Sequence, residues 1–188
     1  FDFMPTRQIK ITVDKNQVLR TNTVPEEKAH LIEDSIVFSV QGNYLSKSDL
    51  AILDMLANNN WERPVYFDLS VVQTSNIKLE KYLQNEGFAY RFLPIKSNSL
   101  DSAIDTDILY ARLMEQFSWG NIGSPKIHID DNLHRTTEIV RLKRNFFLLA
   151  SALIDEENND KALKVIDKVY EIMPLNRYYT SYNDVALA

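Results

Sequence analysis

The chain has 188 residues, 45% of them hydrophobic and 25% charged, with a net charge of −5, pI about 5.2 and no cysteine. That length suits one ordinary domain, or a domain with a small appendage, and lets about 70% of the unfolded surface be buried without staples. The acidic balance argues against nucleic-acid and anionic-membrane surfaces, and the missing thiol removes disulfides, cysteine nucleophiles and thiolate metal sites.

No run approaches the ~20 apolar residues that cross a bilayer. Phe1 opens no basic-then-apolar signal, and the stretch from Tyr182 to Ala188 reads as a helix just starting. Both ends are therefore expected to be cuts, and the chain a soluble piece excised from something longer.

Ile9, Ile11 and Val13 alternate with Lys10, Thr12 and Asp14, the period of a half-buried strand. Residues 16–34 read as loop with one short helix at most. Ile36, Phe38 and Val40 alternate again before the turn pair Gly42-Asn43, so two edge strands are expected here. Ser46 or Ser48 then caps a helix, with Asp49 completing a loose capping box; Leu50, Ile52, Leu53, Leu56 and Ala57 give its apolar positions. Asn58-Asn59-Asn60 stops it, because asparagine tolerates the left-handed conformation. Asn60, Trp61, Arg63 and Pro64 are assigned as a structural joint, Pro64 holding Arg63 extended and Trp61 fixing how the helix enters a strand. A latch between Trp61 and the charged pair Glu62-Arg63 is expected at this joint.

That strand is read from Val65 to Val71 and placed centrally. A helix is expected from Thr74 or Ser75 through Leu83, closed by Gly87, before a second strand in Phe88–Ile95. Strand, helix, glycine stop and strand together read as a βαβ-like unit, which favours parallel pairing. Asp105-Thr106-Asp107 opens another helix that ends near Trp119-Gly120. From Thr136 the pattern is wholly helical. Phe146, Leu149, Ala150 and Leu153 are answered by Ala162, Ile166 and Val169 before Pro174, the spacing of one tetratricopeptide repeat over Lys143–Asn176. The fold class is thus mixed α/β: a small sheet flanked by helices over residues 1–135, then a tetratricopeptide-like hairpin over 136–188.

Few constellations point to chemistry. His128, Asp130, Asp131 and His134 place two imidazoles and two carboxylates close in sequence, but without a fixed ligand motif; solvated histidines beside helix-capping aspartates explain them as well. Asp54 and Asp68 form a second candidate pair of acids, against which stands the ordinary boundary carboxylate bonded to Asn, Arg63 or backbone amides. Glycines at 42, 87, 120 and 123 make no phosphate loop, and no serine sits in a nucleophile elbow. No catalytic residue, metal or cofactor is assigned. Phe146, Tyr170, Tyr178 and Tyr179 are assigned as a docking face of the helical repeat, since such repeats commonly hold peptides.

Five stretches carry a family resemblance: FMPTRQIKITVDKNQVL near the N-terminus, Leu50–Phe67 (LAILDMLANNNWERPVYF), Lys81–Ile95 (KYLQNEGFAYRFLPI), Phe117–Ile122 (FSWGNI) and the hairpin Arg144–Pro174. Together they resemble the C-terminal soluble region of large bacterial multi-spanning membrane proteins grouped with protein O-mannosyltransferase-like glycosyltransferases of the GT-C type. The resemblance implies a non-catalytic accessory domain on the periplasmic face of the inner membrane. Its implied task is to dock a protein acceptor or partner, with the catalytic carboxylate in the membrane part and at no position of this chain. Two other readings stay open: a free-standing protein-interaction module, and a metal-dependent hydrolase using the His128–His134 cluster or Asp54 with Asp68.

Overall fold

A computed structural model describes residues 6–130 and 139–175. The chain divides into two compact units: unit 1 is Phe1–Asn85 with Ala89–Ala103, and unit 2 is Glu86–Phe88 with Ile104–Ala188. Asp131, His134, Tyr178, Tyr179, the expected domain boundary at residues 135/136 and the helix expected from Tyr182 lie outside the described residues.

The class is mixed α/β. In unit 1 the two alternating segments are strands β1 (Gln8–Thr12) and β2 (Ser35–Val40), paired antiparallel with Ile9 opposite Phe38 and Ile11 opposite Ile36. Their apolar faces enter one core with Val18, Val24 and Ile77. The linking residues hold helix α1 (Lys15–Arg20), whose first amides are capped by Asp14, and a 3₁₀ segment at Glu26–Leu31. Helix α2 (Lys47–Asn58) begins at Ser46, and the capping box with Asp49 is formed on both sides.

Beyond α2 the chain departs from the βαβ expectation. Strand β3 is only Tyr66–Phe67, and it lies at a sheet edge, not centrally. Asp68 ends it early, because its carboxylate accepts the Ser70 amide at 2.8 Å and caps helix α3 (Leu69–Thr74). The helix expected over Thr74–Glu86 is absent. In its place stand β4 (Ile77–Lys78), a 3₁₀ turn (Glu80–Tyr82) and β5 (Leu83–Asn85). Strand β6 (Tyr90–Phe92) then lies between β3 and β5, antiparallel to both, and β4 joins β2 antiparallel in the other sheet. Both sheets are therefore three-stranded and antiparallel, and among the described residues no parallel crossover forms. Long-range pairing of Ile77 with Val40 has overridden a weak local helix pattern.

Unit 2 is helical. Helix α4 (Thr106–Tyr110) is capped by Asp105, whose side chain accepts the Ile108 amide at 3.1 Å, and continues as a π-helical turn at Ala111–Gln116. Helices α5 (Ile139–Asp155) and α6 (Asn159–Ile172) form the expected C-terminal hairpin. Its turn is a Schellman close: Glu157 adopts φ 61°, its amide bonds to Ile154 O, and the Asn158 amide bonds to Leu153 O. Phe146, Leu149, Ala150, Leu153, Ala162 and Val169 are all buried together, so the repeat spacing marks the packed face. Leu109 and Leu113 share that core. A peptide of residues 143–175, which lacks them, is expected to show no cooperative thermal transition by circular dichroism. A sigmoidal melt of that peptide would contradict the dependence.

Among the described residues no helix is long and apolar enough to cross a membrane.

Candidate functional site

The sequence-assigned joint follows the C-terminal turn of α2. The last turn of α2 closes on Asn59, whose amide bonds to Met55 O at 3.0 Å and whose side-chain amide donates to Arg63 O at 2.8 Å. Asn60 (φ 45°) and Trp61 (φ 61°) are both left-handed. Asparagine tolerates that region; a bulky indole does so only under tertiary constraint. The constraint is visible. Trp61 is 9% exposed and stacks on Phe92 with centroids 5.4 Å apart and planes 9° apart, and Phe67 meets Phe92 edge-on at 6.5 Å. The Thr23 hydroxyl donates to Trp61 O at 3.4 Å, and the Phe92 amide donates to Val65 O at 2.9 Å. Arg63 and Pro64 are exposed. Among the described residues no ion pair or cation–π contact involves Arg63, so the expected charged latch is replaced by ring stacking and backbone bonds.

At the other end of α2 from the joint lies a group that the sequence shows only in part. Asp49 was legible as a helix cap, but it is also a buried carboxylate at 2% exposure. It accepts from the Ser46 amide (2.9 Å) and hydroxyl (2.7 Å), the Ser75 hydroxyl (2.8 Å), and the Asn76 backbone (3.2 Å) and side-chain (3.3 Å) amides. Burial pushes its carboxyl up, but the hydrogen bonds from Ser46, Ser75 and Asn76 outweigh this and hold it below the ordinary aspartate value. An ionised, donor-saturated carboxylate with a lowered pKa is a structural staple and a poor general base. The pair Ser75-Asn76 was the available signal, though nothing in local spacing ties it to Asp49.

The other acids serve local ends. Asp54 is exposed and takes the Asn58 side-chain amide on both its carbonyl (2.9 Å) and its carboxylate (3.0 Å), while Asp68 caps α3. Each is a boundary carboxylate in its own helix, as the simpler alternative held. His128 and Asp130 are exposed on the chain after Gly120, and among the described residues no group of three or more His, Cys, Asp or Glu side chains is placed to hold a metal ion. A cavity in unit 1 lined by Ile52, Phe67, Val72, Ile77, Leu79 and Leu83 has a volume of about 10 Å³, room for one water and too small for a ligand.

The docking face assigned to the hairpin needs one correction. Phe146 is fully buried and packs on Trp119 at 5.2 Å, so it belongs to the core of unit 2 and offers no surface. That is the aromatic position of the helical repeat, which packs inward. Tyr170 is half-buried, with the Lys143 ammonium 5.9 Å from its ring centre.

The family comparison bears on unit 1 above all. A family model described as TMEM260-associated domain 2 matches residues 1–108, taking in the joint, the Asp49 staple and both sheets, and ending within α4. No curated protein matches the chain. No solved structure matches it. With more than half of its length matched, the chain belongs to the TMEM260-associated domain 2 family.

Proposed function

We propose that this chain is a non-catalytic accessory domain of a membrane-embedded, protein O-mannosyltransferase-like glycosyltransferase of the GT-C type. In this reading it stands on the periplasmic face of a bacterial inner membrane and docks a protein acceptor or partner. The observation that carries the reading is the family match over residues 1–108, which associates unit 1 with a larger protein. The side-chain chemistry supports it. In unit 1, Asp68 caps α3, Asp54 bonds the Asn58 side chain within α2, and the buried Asp49 is saturated with donors. Docking falls to the exposed part of the helical hairpin around Tyr170, with Tyr178 and Tyr179 as the proposed continuation.

The reading predicts a division of labour that kinetics can see. In membranes carrying the parent protein, removal of this domain is expected to raise the acceptor-protein KM while transfer to a short acceptor peptide continues. Transfer to both acceptors at unchanged KM and kcat would sink the docking role. Loss of both with the parent still present in the membrane would point instead to a domain that participates in the chemistry. Metal analysis of the purified domain, alone and as the Asp130→Ala/His134→Ala pair, separates the hydrolase alternative: stoichiometric metal lost in the pair would favour it.

A further inference from the structure

Strand β1 lies at the edge of its sheet, with β2 on one side only. The Val40 amide bonds to Arg7 O at 2.8 Å at one end of the pair, and the Val13 amide to Asp34 O at 3.0 Å at the other. Ile9 and Ile11, opposite Phe38 and Ile36, fall between those bonds, so the odd-numbered residues turn their backbone groups to β2. Those of Gln8, Lys10 and Thr12 point away from the sheet. At Gln8 they are used, because the Thr6 hydroxyl accepts the amide at 3.2 Å and donates to the carbonyl at 3.3 Å. At Lys10 and Thr12 they are unpaired among the described residues.

The other edges in unit 1 are short or closed. The Val37 amide on β2 donates to the Tyr82 hydroxyl at 3.2 Å, the Asn85 amide on β5 donates to Ala103 O at 2.8 Å, and β3 has two residues. Strand β1 has five, with no proline and no bulge in its register with β2. Its charge is one-sided. Thr6–Val13 holds Arg7 and Lys10 and no acid, in a chain whose net charge is −5. Lys10 is exposed on the solvent face opposite Val37, and among the described residues its ammonium makes no ion pair. On the other face Ile9 and Ile11 are half-buried against the core.

We propose that the outer edge of β1 takes an extended segment of a partner protein, in which acidic and apolar residues alternate, as an added strand. The amides and carbonyls of Lys10 and Thr12 supply the main-chain bonds. A carboxylate opposite Lys10 fixes the register, and the apolar residues of the partner continue the Ile9–Ile11 face. A second copy of β1 is a poor occupant, since it would gather two Arg7 and two Lys10 cations on a ribbon with no acid in either strand. The surface belongs to unit 1 and is independent of the docking assigned to the hairpin.

The test titrates the full chain with a blocked peptide of alternating glutamate and valine, beside its lysine–valine counterpart. The glutamate peptide is expected to bind saturably and more weakly as salt is added, and the lysine peptide not to bind. With about nine-tenths of the protein occupied, the Lys10 and Thr12 amides should exchange about tenfold more slowly, because they open only in the free fraction. Lys10→Glu, an exposed change, should weaken the glutamate peptide about fivefold and admit the lysine peptide. Equal binding of the two peptides, or protection that misses Lys10 and Thr12, would overturn the proposal. So would a dimer that protects these amides without peptide, which would make a second copy the occupant. Binding of neither peptide would leave Lys10 as a charge that keeps the edge unpaired, and the proposal would fall.

Discussion

Replacing Trp61 by alanine is expected to lower the stability of unit 1 by about 3–5 kcal/mol, the usual cost of removing a large buried ring. Against a total of roughly 5–15 kcal/mol for a domain, that is enough to leave a substantial unfolded population. Three consequences of the substitution add up. The parallel stack with Phe92 at 5.4 Å is lost, Phe92 is left with its edge-on contact to Phe67, and a cavity opens where the buried indole stood. The backbone at position 61 stays left-handed, so alanine keeps the strain while losing the ring that held it. Two controls separate packing from strain. Trp61→Phe retains a stackable ring and should cost less than half as much. Asn60→Gly relieves a left-handed residue with φ 45° and should be neutral or mildly stabilising. Urea unfolding followed by circular dichroism measures all three. A Trp61→Ala midpoint within error of wild type would mean that the joint is held by backbone bonds alone.

The parts of this fold that were legible in the sequence are those fixed by short-range physics. Ile9/Ile11 and Ile36/Phe38/Val40 announce strands by alternation, and Ser46 with Asp49 announces a helix start by hydrogen bonding three residues apart. Phe146, Leu149, Ala162 and Val169 announce a helical hairpin in the same way. The failures are all non-local. Thr74–Gly87 has apolar residues at helical spacing, but Ser75 and Asn76 bond to Asp49, more than twenty residues earlier, and Ile77 pairs with Val40. Those contacts extend the backbone where local pattern favoured a helix. Trp61 in the left-handed region has no signal in the sequence, because the contacts that hold it, the Phe92 ring and the Thr23 hydroxyl, lie far along the chain. At the candidate site the asparagine run announces only a stop to α2, whereas burial of Phe146 and saturation of Asp49 depend on partners far along the chain.

Asp49 supplies the second large effect, and its sign with pH is fixed by its environment. Asp49→Ala removes the acceptor of five hydrogen bonds. The donors on Ser46, Ser75 and Asn76 are all part-buried, so some of their desolvation is left uncompensated. The helix cap adds about 1 kcal/mol, and the bonds to the charged group bring the total to about 3 kcal/mol. Because the folded-state carboxyl lies below its ordinary value of 3.8, its contribution is complete above the unfolded pKa and is lost as pH falls through the folded one. Wild-type stability should therefore decline below about pH 4, and Asp49→Asn should flatten part of that decline while lowering stability at neutral pH. Asp34, held low by the Lys15 ammonium at 2.8 Å, titrates with the same sign, but it is exposed and its share fades with added salt. Measured in 0.5–1 M salt, the difference between wild type and Asp49→Asn thus belongs to the staple. A difference that is constant from pH 6 to pH 2.5 would show that the carboxylate is not held below its ordinary pKa, and that Ser75 and Asn76 do not reach it.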